Sequence, residues 1–131
     1  MVEFALAAPL LLLLLAGVLD YSLALRTAIA VSDAARAGAH YGSLSQANAV
    51  DTAGIQAAAH NAVPNLTGMT VTAARSCKCA NGSAVSCTGS CSGAISVFTE
   101  VTTQTRARKA FSYPGLSFSG AISAKAVMRA R

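Results

Sequence analysis

The chain opens with an apolar run unlike anything that follows it. Sixteen uncharged residues separate Glu3 from Asp20, and Leu10 to Leu15 is unbroken leucine. From Phe4 to Leu25 the run has 22 residues. As a helix that is roughly 33 Å, enough to cross a hydrocarbon core of about 30 Å once, with Asp20 and Tyr21 near one interface. Pro9, two turns in, removes a backbone hydrogen bond and is expected to kink the helix. No breaker follows before Gly38, so the helix is predicted to continue to Gly42–Ser43. In this second half, a step of about 100° per residue puts Arg26, Asp33, Arg36 and His40 on one face. Ala24, Ala28, Val31, Ala35, Gly38 and Gly42 fall opposite, a stripe small enough for another helix or a sheet to approach closely.

Beyond the first helix the period changes twice. Ser45 to Val63 reads as a shorter helix, with Asn48 or Asp51 as its cap and Pro64 forbidding continuation. Val50, Ile55, Ala58, Ala59 and Val63 give it one weak apolar side, interrupted by Gly54. From Thr67 the alternation is strand-like, with Met69, Val71 and Ala73 on one side. Ile95 to Arg108 is the clearest strand, placing Ile95, Val97, Thr99 and Val101 opposite Phe98, Glu100, Thr102 and Gln104. Ile122 to Met128 alternates again, and the short connections predict antiparallel neighbours. Phe111 to Phe118 is a turn-bearing loop whose aromatics lie at a membrane surface or over the open end of the core.

Composition narrows the class. The 131 residues are 53% hydrophobic but only 5% aromatic and 11% charged. That suits a subunit covered by copies of itself better than a free monomer. The net charge of +5 is uneven: Arg106, Arg108, Lys109, Lys125, Arg129 and Arg131 lie in the last 26 residues, and the nearest acid is Glu100. Without interleaved aromatics or a phosphate loop, nucleic acid is not the expected partner. The basic tail reads as a membrane-facing or subunit-facing edge. His40 and His60 stand on separate helical segments without paired carboxylates, so no catalytic site, cofactor or enzyme activity is expected.

Cys77, Cys79, Cys87 and Cys91 lie within fifteen residues. Structural zinc pairs are usually spaced C-x2-C to C-x4-C, and C-x-C is a poor start for one. Disulfides are expected outside the cytosol, and three connectivities are possible. A hairpin folding back near Ser83 would nest Cys79–Cys87 inside Cys77–Cys91. Asn65-Leu-Thr and Asn81-Gly-Ser satisfy the glycosylation pattern, as triplets also do by chance.

VEFALAAPLLLLLLAGVLDYSLAL followed by DAARAGAHYG resembles the TadE-like (tight-adherence) branch of the type IV pilin family, and the closing SAKAVMR resembles that family's C-terminal strand. The specific part is V-E-F, the proline, the D-x-x-x-x-L spacing and AAR-x-GA. A cleaved secretory signal would carry Lys or Arg before the apolar run, and a bare anchor has no use for Glu3. The resemblance implies a prepilin peptidase that cuts a short basic leader and leaves glutamate at the fifth mature position. Here it is third, and a leader ending in Gly or Ala is expected upstream of Met1. Glu3 either sits at the membrane surface, favoured by the helix N-terminus, or needs a partner in an apolar core.

The expected fold is therefore α+β and pilin-like: a long N-terminal apolar helix, a short second helix and a small antiparallel sheet. Residues 1–42 would be membrane anchor and filament core, and 43–131 a small head with a stapled loop at 77–91. The expected function is structural. The subunit would wait in the bacterial inner membrane and pack helix to helix into an extracellular filament for adhesion or surface contact. Its partners would be copies of itself, the prepilin peptidase and the pilus assembly machinery. Glu3, Pro9, Ala24, Ala28, Ala35 and Gly38 are the candidate assembly residues. The alternatives are a minor pseudopilin that primes assembly, or a single-span envelope protein whose basic head binds lipid or polymer.

Overall fold

A computed structural model describes residues 2–107, 110 and 120–131. The side chains of Val2, Glu3 and Ala5 and the whole Phe111–Phe118 loop fall outside the described residues. The fold is α+β and pilin-like. Helix α1 (Val2–Ser43) is 42 residues long and carries Pro9 inside it. Helix α2 (Thr52–Ala62) follows, then strands β1 (Thr70–Lys78), β2 (Ala84–Val85), β3 (Ser96–Arg106) and β4 (Ala121–Arg129). The sheet is antiparallel in the order β2-β1-β3-β4. The second half of α1 lies across β3 and β4, with α2 beside it toward β1.

Helix α2 starts seven residues later than the sequence pattern predicts. The 46–50 stretch forms turns, in which the Ser45 hydroxyl accepts from the Asn48 N–H at 3.1 Å. Of the two candidate caps, Asp51 is used: its carboxylate accepts from the Gly54 N–H at 2.9 Å and from the Tyr41 hydroxyl at 2.9 Å. Gly54 first, then Tyr41, holds the Asp51 carboxyl below its ordinary value. This cap is therefore intact at neutral pH and is lost as pH falls through that lowered value. Val50, outside the helix after all, is exposed. Ile55 and Ala59 are the residues that α2 buries.

The core is small and built largely of alanine. Ala34 and Ala39 of α1 meet Ile55 and Ala59 of α2, Met69 and Val71 at the start of β1, and Val101 of β3. Such short side chains fill the space only because the backbones come close together. At Gly38 an added Cβ would lie 3.3 Å from both Ile55 Cγ2 and Val101 Cγ1, and at Gly42 it would lie 2.5 Å from Thr99 Cγ2. At Gly42 glycine is required by space, not by backbone conformation, and at Gly38 a Cβ would press on its neighbours.

On the inner face of β3, Thr99, Val101, Thr103 and Thr105 are all buried. The Thr103 hydroxyl donates to the Val31 carbonyl of α1 at 2.8 Å, clasping sheet to helix. Thr99, fully buried beneath Gly42, has no hydrogen-bond partner for its hydroxyl among the described residues. Two neighbouring threonines thus stand in opposite energetic positions. Thr99→Val keeps the shape and removes a desolvated hydroxyl, so it should raise stability by about 1 kcal/mol or more. Thr103→Val removes the clasp and should lower stability by about 1 kcal/mol. Thermal unfolding of the two variants in detergent micelles would show melting temperatures displaced in opposite directions.

An exposed apolar helix on a disulfide-stapled head

Helix α1 has two halves with different surroundings. Its most apolar 18-residue window has a mean hydropathy of 2.0, and none of it is buried within the chain. Leu10 to Leu15 are 54–66% exposed, and Phe4, Leu6, Val18 and Leu19 are exposed with them. From Val2 to Leu19 the helix runs for 18 residues, about 27 Å, close to the thickness of a hydrocarbon core, and none of the described side chains along it is buried. Burying a leucine stabilises by about 1.5–3 kcal/mol. Leaving six of them in water forgoes on the order of 10 kcal/mol, as much as an entire domain's stability. The rod needs a cover that the head does not supply.

The head begins where the rod stops. Asp20 accepts a hydrogen bond from the Ala110 N–H at 2.8 Å, so the segment leaving β3 is tied to α1 at the end of the apolar run. The sequence alone marked Asp20 as an interface residue; nothing local announces a partner ninety residues away. Ser22 and Thr27 turn their hydroxyls back onto the carbonyls of Leu19 and Leu23, each at 2.8 Å. A groove of about 550 Å³ opens between this part of α1 and the end of α2, lined by Leu23, Arg26, Ala30, Val63 and Leu66 among others.

The candidate assembly residues divide along the helix. Pro9 is exposed on the bare rod, and Glu3 lies in its first turn. Ala24 and Ala28 are half-buried, at the junction. Ala35 is 1% exposed and Gly38 is buried, both within the chain. The face carrying Arg26, Asp33, Arg36 and His40 is exposed, so the small stripe and the polar face take the two sides that the periodicity assigned.

All four cysteines form disulfides, and the pairing differs from the nested one. Cys77 bonds Cys87 and Cys79 bonds Cys91. The reason is the position of the turn. The hairpin pairs Cys77 with Val85 and Lys78 with Ala84, so it closes around Asn81–Gly82 instead of Ser83. Gly82 adopts φ +84°, which glycine alone takes without penalty, and the Asn81 side-chain oxygen accepts from both the backbone and the hydroxyl of Ser83. That two-residue shift brings Cys87 beside Cys77, and a second turn, Gly89 N–H to Ser86 carbonyl, returns Cys91 to Cys79. Each bridge closes a loop of ten to twelve residues, which contributes about 2–3 kcal/mol in the chain-entropy account.

His40 and His60 are exposed on separate helices. Among the described residues no group of three potential metal ligands occurs. The end of the basic tail lies away from the apolar run. Strand β4 runs back along α1, and the Arg131 N–H donates to the Ser43 carbonyl, which puts Arg129 and Arg131 at the far end of the head from the apolar run. Arg108 and Lys109 lie outside the described residues.

With this geometry in place, comparison with known proteins is specific but local. Residues 1–40 match the TadE-like protein family, in agreement with the resemblance carried by the V-E-F, D-x-x-x-x-L and AAR-x-GA residues. The match covers the apolar rod and its junction, and ends before the sheet. No curated protein and no solved structure matches the chain. Peptide mapping of the unreduced protein should return the Cys77–Cys87 and Cys79–Cys91 pairs, with no thiol open to labelling; a Cys77–Cys91 peptide would restore the nested arrangement.

Proposed function

We propose that the chain is a pilin-like structural subunit of a tight-adherence pilus. It is held in the bacterial inner membrane by the first half of α1 and then packed helix to helix into an extracellular filament for adhesion or surface contact. The observation that carries this reading is the apolar rod, Val2 to Leu19, none of whose described side chains is buried, attached to a head that buries none of its most apolar window. A rod of this kind has two suitable environments, a lipid bilayer before assembly and a sheath of like helices after it. The TadE-like match over residues 1–40 supports association with a pilus of the tight-adherence type. The partners on this reading are other copies of the chain, a prepilin peptidase and the assembly machinery.

Glu3 has the sharpest role in the proposal. Inside a core of packed helices its carboxylate needs a cation, since breaking a buried pair costs about 3–5 kcal/mol. The partner implied by the pilin resemblance is the α-amino group freed by leader cleavage, on the same or the neighbouring subunit. Only one axial offset joins amine to carboxylate, so the pair also registers each incoming helix.

Shearing cells and comparing filament with membrane-held subunit tests both parts. Leu12→Lys, costing about 3 kcal/mol at a bilayer centre, should reduce the membrane-held pool itself. Glu3→Ala should leave that pool intact and deplete filaments, with Glu3→Gln between the two. A normal filament yield from Glu3→Ala would remove the registering pair. Filaments whose shaft lacks this chain would make it a minor, priming subunit.

A further inference from the structure

The far rim of the sheet gathers positive charge that the fold does not use. Phe98 pairs across strands with Arg129, and Lys78 pairs with Ser96 in the next row. Lys78 and Arg129 therefore flank β3 on the outer face, about 12 Å apart from two strand spacings across and two residues along. Arg131 continues the same edge, and all three cations are exposed. None has a carboxylate partner among the described residues, whereas the next cation on this face, Lys125, is neutralised by Glu100 at 2.6 Å. Between the tips of β3 and β4 and the turn after α1 lies a groove of about 470 Å³, lined by Gln46, Ser96, Arg129 and Arg131 among others.

We infer that this rim groove binds a carboxylated polysaccharide. Two arginines at its mouth offer planar forks that take carboxylates bidentately, and the Gln46 amide and Ser96 hydroxyl match sugar hydroxyls. Two other polyanions fit less well. A membrane surface is too distant: Ser43, beside Arg131, lies 24 residues beyond Leu19. That is about 36 Å of helix, against a screening length of about 8 Å. A nucleic acid lacks its stacking platform. The one aromatic at the rim among the described residues, Phe98, carries the Lys78 ammonium 5.6 Å from its ring centroid. That contact covers the ring with a cation, and Lys78 stands opposite Ser96, which lines the groove. The site belongs to the head alone and does not depend on filament assembly; in a filament its repetition would add avidity.

The test uses the full-length protein in nonionic detergent micelles, with alginate as the probe and dextran and a single-stranded oligonucleotide as comparisons. Alginate should bind, more weakly as salt rises, and neutral dextran should not. Arg129→Gln with Arg131→Gln should weaken alginate binding about tenfold, equivalent to about 1.4 kcal/mol, while Lys125→Gln leaves it unchanged. Lys78→Gln, on a different strand, gives a second loss that stands should the arginine variant fail to fold. Equal retention of dextran and alginate, or undiminished binding by both the arginine and the lysine variants, would overturn the site. Tighter binding of the oligonucleotide than of alginate would overturn the polysaccharide and leave a nucleic-acid groove. Filament yield plays no part in this readout, so its failure is separate from that of the pilin reading.

Discussion

Everything in this chain depends on one close approach, that of the second half of α1 to the sheet at Gly38 and Gly42. There is no room for a Cβ at Gly42 above Thr99, and the Thr103 hydroxyl reaches the Val31 carbonyl because the helix lies so near. This contact joins the second half of α1 to the head, and the exposed first half continues from it without a break in the helix. A helix joined to its head by a flexible linker could not transmit register from one end to the other. Here α1 is continuous from Val2 to Ser43.

The same close approach explains why the head needs its disulfides. Alanine and glycine allow contact but remove little apolar area from water, and burial yields only about 25 cal/mol per Å². The largest fully buried side chains among the described residues are Ile55, Val31 and Val101, a modest set for a head of some ninety residues. Two bridges in the 77–91 segment secure a stretch that has just one two-residue strand of its own. Hydrogen bonds share the work: Asp20 to Ala110, Tyr41 to Asp51 and Thr103 to Val31 each join segments distant in sequence or in fold. Small domains with thin cores are commonly stapled in this way.

The sequence was most legible where a period ran long enough to be counted. The long helix, its end near Ser43 and the three main strands follow from apolar spacing, and the face assigned to Val97, Thr99 and Val101 is the one that packs inward. It was least legible where one residue decides among neighbours. Asn48 and Asp51 are both good caps; Asp51 prevails because the Tyr41 hydroxyl, reaching from another helix, stabilises its carboxylate. The disulfide pairing turned on whether a hairpin closes at Asn81–Gly82 or two residues later, a difference that cysteine spacing cannot encode. Asp20 carries no local sign of its bond to Ala110. The small stripe was read correctly as a contact surface, but the pattern could not say whose: from Val31 onward it is the chain's own sheet.

That last point divides the candidate assembly residues on physical grounds. Ala35 and Gly38 are already covered within the chain, so a neighbouring subunit can meet them only if the head first releases α1, breaking the Thr103 clasp and exposing Ile55 and Val101. Ala24 and Ala28, half-buried at the junction, keep a side open, and no described residue of the rod below them is buried. On the proposed reading, a neighbouring helix can meet Ala24, Ala28 and the rod below them without disturbing the fold, whereas Ala35 and Gly38 are closed to it. The TadE-like match runs on to residue 40, past that boundary and through the AAR-x-GA segment. The two parts of the matched region thus answer to different constraints: the first to an environment outside the chain, the second to the fit of a helix against its own sheet.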